Sequence, residues 1–322
     1  MATGIVAIAV RNDDLPAVSD VLLLIGVVGY IALTAVSGWR LLRGRRRFLA
    51  DLAGTHGFAS LTFVAASNVL ASGFLDLDLQ RWPAIVLLAI GVVGWLVLGY
   101  GVPLALIATS DRRPRADKVD GSWFIWVVGT QSIAVASTSL QPPDPALMVF
   151  AVVCWAIGLV LYVLVAALVL ARLLVQPVMP TELTPPYWVF MGAAAITVLA
   201  GSRLLGMPDA THLLPHEVVA GASVVLWSFC TWLIPLLIAL AVWRHLVRRV
   251  PLRYESGLWS MVFPVGMYGA ASYELGAATG TPWLVALGDG EAWVALAVWV
   301  LVFVAMLAAC ATAPRLTRTG AA

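Results

Sequence analysis

The side chains that could do chemistry are few, and they stand apart. Cys154, Cys230 and Cys310 each sit alone in an apolar run, with no pair at metal or redox spacing. They read as small packing residues. His212 and His216 have the i, i+4 spacing that can hold a metal on a helix. Pro215 interrupts any such helix, so they read as loop histidines. There is no P-loop, no nucleophile elbow and no pair of carboxylates inside one apolar run. The expectation is therefore no enzyme, no catalytic residue, no metal and no cofactor. Two charges remain, Arg203 and Glu274, at the ends of apolar runs. Charges at membrane depth are costly and are functional candidates by default. Near an interface they also snorkel, or pair with each other. Phe263 precedes Pro264. A proline inside a helix frees one carbonyl, here that of Ser260, and kinks the chain. The kink can aim the phenyl ring along an axis. It can equally leave it packed between helices, since membrane helices tolerate proline.

The elements that carry these residues are set by composition. Apolar types make up 61% of the 322 residues and charged types 11%. A soluble domain has about 45–50% and about 25%. So few charges cannot clothe a water-facing surface, and most side chains must meet lipid. Net charge is +2, with no basic tail bearing interleaved aromatics, so nucleic acid is not an expected partner. No cleavable signal peptide is evident.

A membrane helix needs about 20 mainly apolar residues. Nine stretches qualify: 21–42, 57–74, 82–109, 122–140, 146–174, 187–206, 217–247, 257–277 and 289–312. A tenth, Met1–Val10, would cover only about 15 Å. It reads as a helix truncated at its start, with the alternative of a native stub. Of the 19 Lys and Arg, 16 fall in segments after every second span: Arg40 to Arg47, Arg112 to Lys118, Arg172, Arg244 to Arg253, Arg315 and Arg318. Arg11, Arg81 and Arg203 lie on the opposite side with most of the acids. Positive charge marks the cytoplasmic side, which predicts cytoplasmic termini and a multi-pass protein of the cell membrane. Loops are short, so residues 1–322 read as one transmembrane domain.

The spans alternate in character. Even ones are greasy, such as "AIVLLAIGVVGWLVLGY". Odd ones carry small and hydroxyl residues, such as "GFASLTFVAASNVLASGF" and "WFIWVVGTQSIAVASTSL". Phe58, Trp123, Tyr187 and Trp259 open the odd spans at separations of 65, 64 and 72 residues. The unit is a repeated helical hairpin. Small residues let backbones approach closely in lipid, and they also leave room along an axis. The segregation predicts an inner ring of five odd helices shielded by even ones. The pore-lining candidates are Thr3, Gly4, Thr62, Asn68, Gly129, Thr130, Gln131, Gly192, Thr197 and Gly266. Asn68 and Gln131 serve equally well as interhelical hydrogen bonds, so lining and packing stay open. Uncharged amides, hydroxyls and backbone dipoles would hold anions weakly, which suits a channel.

The stretches "MATGIVAIA", "GFASLTFVAASNVLASG", "VGTQ" at 128–131, "PPYWVFMGAAAITVLAG" at 185–201 and "LWSMVFPVGMYGAAS" at 258–272 resemble the tellurite-resistance and C4-dicarboxylate transporter family. That family includes bacterial tellurite-resistance permeases, fungal malate permeases and sulfite pumps, and plant slow anion channels. The resemblance implies an all-α integral membrane fold. Ten transmembrane helices would form five hairpins in a quasi-fivefold ring around a central pore, often in a homotrimer. It also implies permeation of small inorganic or organic anions, with an aromatic plug that maps onto Phe263. The leading expectation is an anion channel or facilitative exporter. The alternatives are a proton-coupled C4-dicarboxylate or sulfite carrier and, from another class, a non-transporting membrane sensor or enzyme.

Overall fold

The computed structural model describes residues 1–12, 15–54, 57–77, 79–108, 119–207 and 213–316. Among them the only regular structure is helical. The ten helices are α1 (Ala2–Asn12), α2 (Pro16–Leu52), α3 (Thr62–Asp76), α4 (Arg81–Ala108), α5 (Phe124–Ser139), α6 (Pro145–Val175), α7 (Val189–Leu205), α8 (His216–Val242), α9 (Trp259–Thr279) and α10 (Pro282–Leu316). In lipid, helices satisfy their own backbone groups, which is why an apolar chain of this kind takes no other form.

Local chemistry sets the ends. Asp144 accepts from the amide of Leu147 at 2.9 Å and Pro145 follows it, which starts α6. Pro16 likewise opens α2. Gly280, at φ +63°, closes α9 in the left-handed conformation glycine favours, and Thr281 returns its amide to Gly276 at 2.8 Å. Helices α3, α5, α7 and α9 are each entered through a 3-10 turn: Gly57–Leu61, Gly121–Trp123, Pro185–Trp188 and Ser256–Leu258. These turns, or the residue just after, carry the repeated aromatics Phe58, Trp123, Tyr187 and Trp259. Neighbouring turns touch. Gly121 permits one such contact, since a Cβ there would stand 2.1 Å from the carbonyl oxygen of Pro186.

Packing follows the predicted hairpins. Each odd helix lies against its own even partner and against two odd neighbours, in the order α1, α3, α5, α7, α9 and back to α1. The odd helices thus form a closed ring of five, with the even helices outside. Burial makes the same division. The most apolar windows of α3 and α7 are 61% and 83% buried, and those of the five even helices only 11–39%. The even helices expose Leu33, Val97, Leu164, Val225 and Leu301, as lipid-facing surfaces require.

Seven segments, α2, α3, α4, α6, α7, α8 and α10, with α3 and α7 taken with their 3-10 turns, are long and apolar enough to cross a membrane. Helices α5 and α9 fall short on hydropathy because of their Gly, Ser and Thr, and are shielded inside the ring. Helix α1 is apolar but has 11 residues. Two boundaries differ from expectation. Helix α2 continues through its arginines to Leu52, bent where Gly44 leaves helical angles. Helix α10 begins at Pro282, ahead of the expected start at 289. Helix propensity carried α2 past the arginines that suggested a stop.

Candidate functional site

The odd helices run in one direction, each starting near the arginine-rich loops and ending near the acidic ones. Where they converge, a slender cavity of about 10 Å3 lies inside the ring. All five contribute to its wall. Ile5 and Ile8 come from α1, Asn68, Val69 and Ser72 from α3, and Ser132 and Val135 from α5. Ile196, Leu199 and Arg203 come from α7, and Met267 from α9.

At the acidic end the wall carries charge. Arg203 places Nη2 2.7 Å from Asp76 Oδ2 and 3.4 Å from Glu274 Oε1, and Nη1 3.3 Å from Asp76 Oδ1. It also donates through Nη1 to the hydroxyl of Ser139. One guanidinium of α7 therefore bonds α3, α5 and α9. Its planar fork suits this bidentate grip on Asp76. The Arg203 side chain is 11% exposed. Its Nε–H and the hydroxyl of Ser72 have no hydrogen-bond partner among the described residues.

One helical turn toward the basic end, the residues four positions earlier share the same face. Beneath Asn68 stands Val64, beneath Ser132 Val128, beneath Ile196 Gly192 and beneath Met267 Phe263. Val64, Val128 and Phe263 are fully buried. At this level α3, α5 and α7 offer small apolar groups and α9 offers a phenyl ring. Pro264 lies inside α9, where it packs on α7. A Cβ at Gly192 would stand 2.8 Å from Pro264 Cγ.

The remaining candidates face neighbouring helices. Thr3 accepts from Trp299 Nε1 of α10 at 3.0 Å, and Thr130 from Trp95 Nε1 of α4 at 2.9 Å. Gln131 donates to the Trp155 carbonyl of α6 at 3.1 Å and lies over Gly158. Thr197 donates back to Ala193, and its carbonyl accepts from Trp155. Asn68 reaches the cavity wall, but its amide donates sideways to Ser132 at 3.0 Å and lies over Gly91 of α4. Gly4 approaches Val69, Gly129 approaches Leu61, and Gly266 approaches Ile5 and Val6 of α1. Thr62, half-buried, is the first residue of α3. Of the ten, only Asn68 lies on the cavity wall.

Asp76, Ser72, Ser132 and Ser139 were not singled out from the sequence. The signal for the ion-paired position lies in the repeat. Arg11, Asp76, Ser139, Arg203 and Glu274 follow one another at 65, 63, 64 and 71 residues, in step with the hairpin period. His216, first in α8, is exposed; His212 lies outside the described residues. Cys154 and Cys230 are buried and Cys310 is exposed.

A closed ring of buried helices inside a lipid-facing shell, with an internal cavity on its axis, defines an all-α integral membrane protein. The sequence profile of the voltage-dependent anion channel family matches residues 1–307, and the chain belongs to that family. It is 58% identical over 148 residues to an uncharacterized membrane protein of Mycobacterium tuberculosis, covering 46% of this chain and 75% of that one. Two uncharacterized transporters of Methanocaldococcus jannaschii are similar at 24% over 85% of this chain and 22% over 76%, covering 80% and 71% of their own lengths. The chain is thus a membrane protein of an anion channel and transporter family.

Proposed function

We propose that the protein conducts small anions down the axis of its odd-helix ring, as a channel or facilitative exporter, and that Phe263 closes the path. The observation that carries this reading is the cavity on the ring axis, to which all five odd helices contribute, with the Phe263 level one turn beyond it. Small apolar residues on three helices at that level leave a single ring able to swing aside. The whole chain serves as one transmembrane domain of the cell membrane. Both termini lie in the cytoplasm, on the side of the Arg40–Arg47 cluster, and the molecule works in the bilayer as a homotrimer with one path per subunit.

The test is chloride and nitrate flux in proteoliposomes for the wild type and Phe263→Ala. The expected result is a rise of about tenfold or more in the variant, since a buried aromatic one turn beyond the cavity is replaced by space. Equal flux, with both proteins monodisperse and the wild type active, would remove Phe263 from the path. A second reading, a proton-coupled dicarboxylate or sulfite carrier, draws on the two carboxylates at the acidic end of the cavity. Saturable uptake of malate or sulfite driven by a pH gradient would favour it.

A further inference from the structure

We propose that the acidic end of the axial cavity is a binding site for one small monovalent anion. Its donors are the Nε–H of Arg203 and the hydroxyl of Ser72. The inference deepens the axial pathway proposed above and rests on it.

Three observations converge on this place. Arg203 and Ser72 both line the cavity, on α7 and α3. Both are well buried, Ser72 at 1% exposure and the Arg203 side chain at 11%. On each, a polar atom has no partner among the described residues. Buried donors cost free energy when left unmatched, and an N–H and an O–H from facing helices are what a compact anion accepts. The other donors on the wall are committed: Asn68 Nδ2 donates to Ser132 Oγ, which donates to the Gly129 carbonyl. Asn68 Oδ1, an acceptor, has no partner among the described residues and lies over Gly91 of α4.

The charges decide which anion. Arg203 faces Asp76 from α3 and Glu274 from α9, and α5 offers only the Ser139 hydroxyl. Of the even helices beside α7, α6 begins after Asp144, which is exposed and bonds the Leu147 amide. Helix α8 begins with His216 and Glu217, both exposed. On α1, Arg11 lies 3.8 Å from Asp20. With all three cluster groups ionised, the cluster carries one net negative charge and repels an incoming anion. Glu274 is the looser partner, at 3.4 Å through one oxygen, while Asp76 grips through two. The Arg203–Asp76 pair is neutral as a unit, so Glu274 supplies the net charge that an entering anion meets. A dianion would add a second, uncompensated charge in a buried site. Chloride and nitrate fit this balance; malate as a dianion does not.

The experiment uses the full chain in proteoliposomes in the Phe263→Ala background, so that passage beyond the site does not limit flux. Chloride flux is measured against chloride concentration. Ser72→Ala removes a donor outside the ion pairs and should raise half-saturation about tenfold, the loss of one hydrogen bond to a charged group. Glu274→Gln keeps the Arg203–Asp76 grip, removes the net negative charge and should lower half-saturation severalfold. Chloride should compete with nitrate, and malate should not. If both added substitutions leave half-saturation unchanged while Phe263→Ala still conducts, the site is overturned and the pathway stands. If Phe263→Ala does not conduct, the pathway falls and this inference falls with it.

Discussion

Two levels of the same ring, about three helical turns apart on both α7 and α9, are built in opposite ways. At the acidic end, side chains from four odd helices meet in directional bonds around Arg203. One turn below the cavity the helical register places Val64, Val128 and Phe263, all fully buried and without side-chain hydrogen-bonding groups. A bonded level fixes the separation of the helices. A packed level of small groups fixes little beyond volume, so one side chain can move without breaking anything. The difference teaches where the fold spends its rigidity, at the rim, and where it keeps freedom, at the constriction.

Substitutions that break the bonded level should cost most. Arg203→Met leaves Asp76 and Glu274 facing each other without a cation. It should lower stability by about 3–5 kcal/mol, as removal of one partner from a buried pair does, read as a fall in the thermal midpoint in detergent. Arg203→Lys should recover only part of that loss, because an ammonium lacks the fork that grips Asp76. Next comes Gly192→Val, whose branched Cβ would press on Pro264 and push α9 from α7. It should cost about 1–3 kcal/mol, and flux should change with it if the α7–α9 spacing sets the constriction. Phe263→Leu is milder. It keeps an apolar side chain of smaller reach, so flux should rise severalfold, short of the rise in Phe263→Ala. The smallest effect belongs outside both levels. Leu33→Ala, on the lipid face of α2 where the residue is 71% exposed, should change stability by less than about 0.5 kcal/mol. A large loss there would mean that α2 meets protein and not lipid.

Much of the architecture was legible because it is written in alternation. Greasy and small-residue spans take turns along the chain, and the structure sorts them into outside and inside. Azimuth within the inner helices was not legible. Helix α5 is buried on every side, from Phe124 to Thr138, so its sequence has no polar face to say which way Thr130 and Gln131 point. Both turn outward, to α4 and α6. The glycines were ambiguous for a related reason: a missing side chain makes room for an axis and for a neighbouring helix alike, and Gly192 and Gly266 take the neighbour. Arg203 and Glu274 stood out as charges in apolar surroundings. Asp76 did not, because it closes a short helix among other acids, and only ring closure brings it to Arg203. The same repeat position on α1 holds Arg11, which turns to Asp20 instead.

The closed ring has a consequence for how the molecule comes into being. Helix α1 packs against α9 and α10, and Trp299 donates its indole N–H to Thr3 across 296 positions of chain. The earliest helix off the ribosome therefore waits for the latest. Until α9 and α10 are inserted, four odd helices form an open arc with two raw edges in the membrane, and nothing yet encircles the axis. The last hairpin acts as a clasp. The ring closes in one late act of assembly, when the last hairpin reaches the first helix.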